Sequence, residues 1–447
     1  MDPRELQDKR VLIVGYGVTG ASVARFLSAR GIGFDVADEC GEEVAQTLAV
    51  SLGCEVHTTF DLSLFSTYEL LVLSPGVPRA NPAVSAALAA GIDVIGDIEL
   101  FAGAVEVPVI AVTGSNGKSS VVSWIAHVLQ SAGINAMACG NIGQPALDSL
   151  NEQPDVIILE LSSYQLESTR SLKPLAAAVL NISDDHMDRY TDIDHYAAVK
   201  RTIYQGADHC VANLDDQRTW PDASEMSCDY FTLDMGGANS DTARWHRTLR
   251  NETIWLCDDH YALLPQSELS VPGDHNAANA LAVLALIEPL AIPFTALSSG
   301  LTGFAGLPHR TQFVGEDEGI RWYNDSKGTN VDACIKAIRA MPGPVILIAG
   351  GISKDADFTP LRAVIEEHVR ALVLIGRDRD RIAHQLEGTT TILDADSMLE
   401  AVKLCRQQAQ AGDAVLLSPA CSSFDMFRNF EDRGVQFAAA VEEVLAA

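Results

Sequence analysis

The chain has no apolar run of about 18 residues, the length that a membrane-spanning helix needs. Its first residues, MDPRELQDKR, are charged and lack the apolar region and cleavage site of a secretory signal peptide. The 9 cysteines are odd in number and show no paired spacing, which argues against a disulfide framework and favours a reducing compartment. Since no CxxC pair occurs, a structural zinc site is not expected. We therefore expect a cytoplasmic protein without membrane insertion.

Basic residues are also scarce. The chain has 31 Lys and Arg against 60 Asp and Glu, a formal net charge of -29. This excludes general nucleic-acid binding, which needs a basic surface that displaces counterions from phosphates. A cation inside a glycine-rich or loop motif is therefore conspicuous, although an acidic composition by itself indicates only solubility. The 447-residue length suggests about three globular domains.

The most informative stretch is residues 109–120, VIAVTGSNGKSS, which predicts a buried strand, a tight glycine turn and a helix start. Such a junction aims backbone N–H groups and the positive end of the helix dipole at one point. Lys118 adds a full charge there, and the Ser119 hydroxyl could coordinate Mg²⁺. The standard phosphate loop would need a glycine where Val112 stands, so only a shortened form is present. Phosphate binding is the preferred interpretation, and an ordinary strand-to-helix turn is the alternative.

Residues 10–96 predict a small α/β domain that opens with a second glycine loop. A strand leads into GYGVTG at residues 15–20, a helix follows, and the next strand ends at Asp38. This is the fingerprint of dinucleotide-binding folds. Since the loop binds a pyrophosphate and not a base, and only one mononucleotide-binding half fits here, another nucleotide diphosphate suits it as well as NAD. A later buried strand places Ser74 and Gly76 at its carboxyl end, where open α/β sheets bind ligands.

Possible metal ligands follow the phosphate loop. An apolar strand beginning at Val156 reaches a carboxylate, Glu160. Beside a phosphate loop, such an acid is where a nucleotide-bound Mg²⁺ finds a protein ligand, whereas a lone glutamate at a strand end is usually solvated. A further strand at 176–181 is followed by ISDDHMDRY, dense in possible metal or phosphate ligands. Residues 195–207 predict a helix carrying Lys200, which without context is a surface lysine.

The remainder of the central region predicts a small antiparallel sheet at 229–264 and then a hydrophobic helix after PGDHNAANA. Asn276 and Asn279 are three residues apart and share one helix face. Capping explains one asparagine near a helix start but not both, which favours contacts to a base or ribose. Residues 96–108 and 303–310 are predicted linkers, the second with two cationic groups, His and Arg, at its exit.

The last third of the chain again alternates strands and helices. Strands are predicted at 320–324, 345–349, 371–375 and 414–418, and each is followed by a polar or glycine-bearing loop. In a parallel sheet these loops lie on one edge. That edge would gather Lys327, Thr329, Lys354, Ser422 and Ser423. Two lysines with hydroxyls predict a clamp for carboxylate or phosphate, and unrelated surface loops are the alternative.

In this order, a series of motifs resembles the Mur ligases of peptidoglycan synthesis: TGSNGKSS, LELSSYQLE, HMDRY, AAVK, PGDHNAANA, LPHR, NDSKGTN and SPACSSFDMFRNFEDRG. The resemblance spans essentially the whole chain, and HMDRY, NDSKGTN and SPACSSFD are more specific than either glycine loop. It implies an α/β fold of three domains. These are a Rossmann-like N-terminal domain (1–96), a central P-loop ATPase-type mixed-sheet domain with a small antiparallel sheet (97–306), and a C-terminal Rossmann-like domain (307–447).

The resemblance implies an ATP-dependent amide ligase. ATP would activate the terminal carboxylate of UDP-N-acetylmuramoyl-L-alanine as an acyl phosphate, and the amine of D-glutamate would attack it. The SPACSSFD stretch favours D-glutamate over the L-alanine or diamino acid used by sister ligases, because the Asn-Pro-Arg pattern of the diamino-acid enzymes is absent. The protein is expected to be a monomer whose partners are these small molecules alone.

The same resemblance assigns roles to individual residues. Nucleotide contacts would come from Gly114, Ser115, Asn116, Gly117, Lys118, Ser119, Ser120, Val121, Asn276, Asn279, Arg310, Asp325 and Lys327. One Mg²⁺ would bind Ser119 and Glu160, and a second would bind His186 and a carbamylated Lys200. The groups near the reacting phosphate and carboxylate would be Lys118, Asn141, His186 and Lys200. Contacts to the UDP-linked substrate would come from Val18, Thr19, Asp38, Gly76, Asn141, Ser162 and Gln165, and contacts to D-glutamate from Thr329, Lys354, Ser423, Phe424 and Phe430.

The chain departs from the family pattern in two places. Ile352 stands where the family often has an acid before its lysine, and Glu39-Cys40 replace the hydroxyl and basic pair expected after Asp38. Two other classes of function are also compatible with parts of the sequence. One is an NAD-dependent oxidoreductase, on the strength of GYGVTG. The other is a phosphate-loop regulatory protein without ligase chemistry, in which His186 and Lys200 would be dispensable.

Overall fold

The computed structural model describes residues 3–185, 187, 189–222, 227–235, 242–259, 261–271, 273–353 and 355–446. Its contacts divide the chain into two compact units. The first unit consists of Met1–Ile182, Arg189–Leu269 and Ala277–Phe304, and the second of Ser183–Asp188, Ser270–Asn276 and Ala305–Ala447. Among the described residues, no helix has both the length and the apolar character that a membrane crossing requires.

The first unit opens with a five-stranded parallel sheet in the order β3-β2-β1-β4-β5. Its elements are β1 (Val11–Val14), α1 (Val18–Ser28), β2 (Phe34–Ala37), α2 (Glu42–Leu52), β3 (Val56–His57), α3 (Leu62–Phe65), β4 (Leu70–Leu73), α4 (Pro82–Ala89) and β5 (Asp93–Gly96). Strands β1 and β4 consist of buried Val, Leu and Ile, as expected for a parallel sheet covered on both faces. The strand order reverses between them, and the loops after both strands meet there, since the Ser74 hydroxyl donates to the Gly15 carbonyl at 2.6 Å.

Residues 97–102, within the first predicted linker, form a buried helix, α5 (Asp97–Ala102). Its apolar residues belong to a hydrophobic core that continues from the first sheet into the next. Two acids at its start are also buried: Asp97 accepts a hydrogen bond from Gln165 at 3.4 Å, and Glu99 accepts the backbone N–H of Arg170 at 2.6 Å. The sequence did not predict this helix because its acids alternate with apolar residues. The hydrogen-bond partner of each carboxylate lies far along the chain, so no local pattern indicates that the acids are buried.

The second sheet of this unit has six strands in the order β11-β10-β9-β6-β8-β7, and all its described pairs are parallel. Its elements are β6 (Val109–Thr113), α6 (Lys118–Ser131), β7 (Ala136–Gly140), α7 (Ala146–Ser149), β8 (Val156–Glu160), α8 (Ser163–Leu166), β9 (Ala176–Val179), α9 (Ile193–Arg201), β10 (His209–Asn213) and β11 (Cys228–Phe231). The phosphate loop follows β6, a central strand, and Glu160 lies beside it at the end of the neighbouring β8, in register with Val112.

The predicted antiparallel sheet exists but is shorter than expected. It comprises β12 (His246–Arg250), β13 (Thr253–Cys257) and β14 (Ala262–Pro265). The prediction was wrong for Asp229, which lies in β11 and pairs in parallel with β10. A short strand has the same residue pattern in either kind of sheet, so the sequence alone did not separate them. Helices α10 (Asp274–Ile287) and α11 (Phe294–Gly303) follow.

The second unit contains a six-stranded sheet in the order β15-β16-β20-β17-β18-β19. Its elements are β15 (Gln312–Asp317), β16 (Ile320–Asn324), α12 (Val331–Arg339), β17 (Val345–Gly350), α13 (Leu361–His368), β18 (Val369–Ile375), α14 (Arg379–Gln385), β19 (Thr391–Asp394), α15 (Met398–Gln408), β20 (Ala414–Leu417) and α16 (Phe430–Leu445). Only the β15–β16 pair is antiparallel among the described pairs of this sheet. Because β20 lies between β16 and β17, the loops after these strands are neighbours, which confirms the predicted edge.

Close packing of α11 on α6 generates a prediction about stability. A Cβ added to Gly300 would lie 2.7 Å from the Cα of Val128, whereas one added to Gly33 would meet nothing within 4 Å. We expect Gly300→Val to lower the free energy of unfolding by about 1–3 kcal/mol, because backbone atoms must move apart. Gly33→Val is the matched control and should be close to neutral. Thermal and urea unfolding measure both, and equal stability of the two variants would contradict the packing.

Burial of Asp97 generates a second prediction. Burial raises the pKa of this carboxyl from its ordinary value of 3.8 to about 6. Between about pH 4 and pH 6 the folded state therefore holds more protons than the unfolded state, so this group makes stability fall as pH rises through that window. Asp97→Asn removes the titration. Calorimetry measures the melting temperature of Asp97→Asn minus that of wild type. This difference should be larger at pH 7.5 than at pH 4.

The control for Asp97→Asn is Glu106→Gln, which changes an exposed carboxylate in the same region. We expect its melting temperature to follow that of the wild type at every pH. If the Asp97→Asn curve also runs parallel to wild type across this range, the buried carboxyl does not titrate as described.

Candidate functional site

The phosphate loop depends on two glycines with positive φ, Gly114 at +151° and Gly117 at +83°. An added Cβ on Gly117 would lie 2.7 Å from Oδ1 of Asn279, so the loop and α10 approach more closely than a side chain would permit. Helix α6 begins at the next residue, Lys118, and points its N-terminal backbone N–H groups into the loop. This is the strand-turn-helix geometry that the sequence predicted.

Asn181, which follows β9, holds this loop in place. Its Oδ1 accepts the backbone N–H of Asn116 at 2.8 Å, and its Nδ2 donates to the Asn116 carbonyl at 3.0 Å. Its own carbonyl accepts the N–H of Ser115 at 2.9 Å. Sequence analysis did not assign Asn181 a role. The available signal was its position at the carboxyl end of a strand adjacent to β6.

Two lysines converge on one carbonyl oxygen of the loop. Lys118 Nζ donates to the Gly114 carbonyl at 2.7 Å and to the Ser115 carbonyl at 2.9 Å. Lys200 Nζ, on α9, donates to the same Gly114 carbonyl at 2.9 Å and lies 4.7 Å from the ring centroid of Tyr196. Lys200 is only 1% exposed, so it is not a surface lysine, as it would be if the sequence were taken without context. Two ammonium groups at one point attract an anion.

Glu160 lies at the same sheet edge with one carboxylate oxygen lacking a hydrogen-bond donor. It is 2% exposed; Oε1 accepts from Nδ2 of Asn141 at 2.8 Å, and Oε2 has no hydrogen-bond partner among the described residues. The backbone N–H of Asn141 also donates to the Glu160 carbonyl at 2.9 Å. A buried carboxylate oxygen without a donor is costly unless a cation binds it. With the buried Ser119 hydroxyl, Glu160 offers the oxygen ligands that Mg²⁺ prefers.

The predicted substrate residues Ser162 and Gln165 form a capping box at the start of α8. Ser162 Oγ accepts the Gln165 N–H at 3.2 Å, and Gln165 Oε1 accepts the Ser162 N–H at 3.1 Å. Gln165 Nε2 points to Asp97 of α5. Ser162 and Gln165 therefore both have hydrogen-bond partners within the fold. The family resemblance assigns the same two residues to substrate contacts.

The predicted N-terminal site residues lie around the glycine loop. Asp38 Oδ2 accepts the N–H of Tyr16 at 2.5 Å, so the acid after β2 closes the loop. Val18 and Thr19 form the first turn of α1, where Val18 is 74% exposed. Gly76 lies in the turn after β4. A nucleotide diphosphate at this point would meet the N-terminus of α1.

The loops at the C-terminal sheet edge bond to one another. The N–H of Ala420 donates to the Gly328 carbonyl at 2.8 Å, and Ile352 and Ser422 exchange two backbone hydrogen bonds of 3.0 Å. The predicted gathering of loops is thus confirmed. Lys354, part of the expected clamp, lies outside the described residues, as does His186 of the expected second metal site.

Asp325 is a buried acid at this edge. It accepts hydrogen bonds from Ser418 Oγ at 2.7 Å and from the Thr311 N–H at 3.1 Å. Burial raises the pKa of Asp325 to about 6, and the nearby charge of Arg310 opposes that rise. Asn276, another predicted nucleotide contact, also belongs to this second unit, whereas Asn279 belongs to the first.

The remaining predicted residues of the edge differ in exposure. Lys327 Nζ lies 3.8 Å from the ring centroid of Phe430, a cation–π contact at the start of α16. The N–H of Thr329 donates to the Lys327 carbonyl at 2.8 Å. Ser423 is buried, and Phe424 is 70% exposed.

Sequence analysis missed Arg433, which joins two of these loops. Its guanidinium is fully buried; it donates to Ser326 Oγ at 2.9 Å, to the Ser326 carbonyl at 2.8 Å and to the Cys421 carbonyl at 3.1 Å. Burial lowers its pKa to about 10, so it is still charged at neutral pH. The available signal was that Arg433 is the single Lys or Arg of α16, in the motif EDRG.

The prediction of two cations at the exit of the second linker was wrong for His309. Its Nδ1 lies 3.0 Å from Nδ2 of Asn324, and burial lowers the pKa of the ring. This disfavours the charged form of His309, which leaves Arg310 as the cation of the pair.

Three family models match successive parts of the chain. The model of the Mur ligase MurD-like N-terminal domain matches residues 9–96, that of the Mur ligase middle domain matches 112–287, and that of the Mur ligase glutamate ligase domain matches 309–421. Among solved structures, UDP-N-acetylmuramate-alanine ligase from Thermotoga maritima shares the fold, with a TM-score of 0.61 at 18% identity over 98% of this chain and 100% of that one. A pseudomurein peptide ligase type C from Methanothermus fervidus has a TM-score of 0.62 at 18% identity, over 98% of this chain and 100% of that one.

Curated relatives are similar over nearly their full length. A protein of Nitrosococcus oceani named UDP-N-acetylmuramoylalanine--D-glutamate ligase is 46% identical, with 97% of each chain covered. One of the same name from Methylobacillus flagellatus is 43% identical, with 98% of each covered. At these identities and coverages, and with the strand-turn-helix phosphate loop in place, the chain belongs to the Mur ligase family.

Proposed function

We propose that this protein is the ATP-dependent ligase that joins D-glutamate to UDP-N-acetylmuramoyl-L-alanine in peptidoglycan synthesis. The observation that supports the chemistry is the convergence of Lys118 and Lys200 on the Gly114 carbonyl. At the same sheet edge, Oε2 of Glu160 has no hydrogen-bond partner within the described part of the chain. The substrates are taken from the full-length relatives, which are named for this reaction. An NAD-dependent reaction has no comparable support, since the glycine loop after β1 is the one feature that favours it.

Apart from His186, which lies outside the described residues, the residues expected to bind ATP and Mg²⁺ suit these ligands. Ser119 and Glu160 would hold one ion, and His186 with a carbamylated Lys200 would hold a second. Bound Mg²⁺ would neutralise part of the negative charge on the phosphates. Carbamylation would convert a buried ammonium into an anionic oxygen ligand, which gives a reason for a lysine 1% exposed at this edge. The further nucleotide contacts that the family resemblance implies are Asn276, Asn279, Arg310, Asp325 and Lys327.

The chain's own groups support acyl transfer in the following way. The N–H groups of the phosphate loop and Lys118 bind the γ-phosphate and stabilise the charge that develops as it is transferred. A carboxylate oxygen of the UDP-linked substrate attacks that phosphorus, and ADP leaves. The amine of D-glutamate then attacks the acyl carbon, and loss of a proton and phosphate yields the amide. Asn141 keeps the Glu160 carboxylate oriented through its 2.8 Å hydrogen bond.

Each part of the substrates would have its own set of contacts. Val18, Thr19, Asp38 and Gly76 would bind the uridine diphosphate at the N-terminus of α1. Asn141, Ser162 and Gln165 would contact the acyl end. Thr329, Lys354, Ser423, Phe424 and Phe430 would receive D-glutamate at the C-terminal edge. Domain boundaries at 96 and 306, a monomeric state and a cytoplasmic location complete the proposal.

The proposal is tested by phosphate release from ATP with UDP-N-acetylmuramoyl-L-alanine and one amino acid at a time. D-glutamate should support turnover, whereas L-glutamate, L-alanine and diamino acids should not. The donors of the C-terminal edge are expected to bind the second carboxylate of the amino acid, whose position depends on the configuration of the α-carbon. Product mass confirms the amide. Turnover with another amino acid and none with D-glutamate would overturn the substrate assignment.

Lys118 generates a more local prediction. Lys118→Ala should lower kcat by at least about 100-fold, since a charge partner of the transferring phosphate is lost. The matched control, Lys403→Ala, removes an exposed lysine of α15 and should leave kcat unchanged. Steady-state phosphate release measures both, with circular dichroism as a check on folding. Near-normal turnover by a folded Lys118→Ala variant would remove the phosphate loop from the mechanism.

A further inference from the structure

Arg189, the arginine of HMDRY, is held by Glu167, in a fork-like pair. Its Nε donates to Glu167 Oε1 at 3.1 Å and its Nη2 donates to Oε2 at 2.7 Å. The guanidinium carbon also lies 3.9 Å from the ring centroid of Tyr164, and the Tyr190 hydroxyl donates to Glu167 Oε1 at 2.7 Å. The two charged side chains are 10% and 12% exposed. A two-bond ion pair this shielded from water has one geometry and is little screened.

The remaining nitrogen of this guanidinium reaches the first sheet. Arg189 Nη1 donates to the Pro75 carbonyl at 2.9 Å, in the turn after β4. In that turn the Ser74 hydroxyl donates to the Gly15 carbonyl at 2.6 Å. A continuous series of bonds therefore runs from Glu167 to the glycine loop. We name the two loops that it reaches, residues 15–20 and 74–78, the N-terminal ligand loops.

A second arginine fixes the same point from the opposite side. Arg79, just beyond the N-terminal ligand loops, donates to the Glu167 carbonyl at 3.1 Å, and burial lowers its pKa. The next residue, Ser168, accepts the N–H of Gly96 at 3.2 Å, and an added Cβ on Gly96 would lie 3.2 Å from the Ser168 Cβ. Residues 167–168 are thus the place where the first sheet is attached to the chain that follows β8.

The position of this attachment gives it a consequence for ligand binding. Glu167 follows Glu160 closely in sequence, after the short helix α8. A ligand with its diphosphate at the N-terminal ligand loops and its carboxylate at the phosphate loop must span the distance between them. A displacement of about 1 Å between two such anchors can cost about 100-fold in rate. ATP and the amino acid make no use of the N-terminal ligand loops, so they should not sense such a displacement.

We propose that Arg189, held by Glu167, is a positioning residue that sets the N-terminal ligand loops at the distance the UDP-linked substrate requires. The assignment of that substrate rests on the proposed function. Arg189 acts through the Pro75 carbonyl and the turn after β4, and it does not itself take part in bond formation. Neither the resemblance nor the family matches assign it this role.

The test compares Arg189→Met, Arg189→Lys and Glu167→Gln with a matched control. Arg25→Met removes another ion pair of the same unit, Arg25–Asp148 at 2.6 Å, in which the arginine is 59% exposed. We expect Arg189→Met to raise KM for UDP-N-acetylmuramoyl-L-alanine by about tenfold or more, with KM for ATP and D-glutamate changed by less than about twofold. Arg189→Lys should recover part of the loss, since an ammonium keeps one bond of the fork.

The control should leave all three KM values unchanged, because an exposed pair contributes little. An equal rise of the three KM values in Arg189→Met, or no rise at all, would overturn the positioning role. Glu167→Gln keeps the size of the side chain but leaves Arg189 without its carboxylate, so it should melt below wild type. Assayed at a temperature where thermal unfolding shows it to be folded, it should give the same selective rise, which separates the positioning role from general instability.

A second readout does not depend on turnover. Hydrogen–deuterium exchange of the peptide covering residues 74–79 in the unliganded enzyme should be faster in Arg189→Met than in wild type or Arg25→Met. Unchanged exchange would contradict the inference. If the wild type fails to use D-glutamate, the proposed function fails, whereas this exchange experiment still decides whether Arg189 holds the loop.

Discussion

The site depends on two ammonium groups that share the carbonyl oxygen of Gly114. Lys118 comes from the helix after the phosphate loop, and Lys200 from α9, far along the chain. In a protein with a net charge of -29, such a concentration of positive charge is local and opposes the general field. Since Lys200 is buried, its charge is screened little by solvent and acts strongly on whatever binds the loop. The arrangement favours a polyanion there, or the conversion of one lysine to an anion.

Parallel sheets make this convergence possible. In each of them the loops that follow neighbouring strands emerge at the same edge, so residues distant in sequence meet without long connections. Glu160 meets the phosphate loop because β8 pairs with β6. Asn181 meets it because β9 pairs with β6 on the other side. The C-terminal edge follows the same rule, with β20 placed between β16 and β17. Register therefore decides which side chains form the site.

Features coded by a few adjacent residues were predictable. Both glycine loops, the strands before them and the gathering of the C-terminal loops followed from local patterns. The burial of helix α5 did not, because its acids are satisfied by partners such as Gln165 that no local pattern reveals. The charge of His309 was misjudged for a related reason: burial, which lowers its pKa, is a tertiary property. Asn181 and Arg433 were missed since each binds backbone groups, and backbone groups carry no sequence signal.

Two arginines put the chain's scarce positive charge to the same use. Arg433 donates to the carbonyls of Ser326 and Cys421, and Arg189 to that of Pro75, so each cation ties down a loop next to a site residue. A guanidinium suits this task because its several donors lie in fixed directions in one plane. Lys118, with a single compact charge, lies where the resemblance places a phosphate. In this acidic chain Arg433 and Arg189 therefore hold loops in place, whereas Lys118 is the cation that would meet the transferring phosphate.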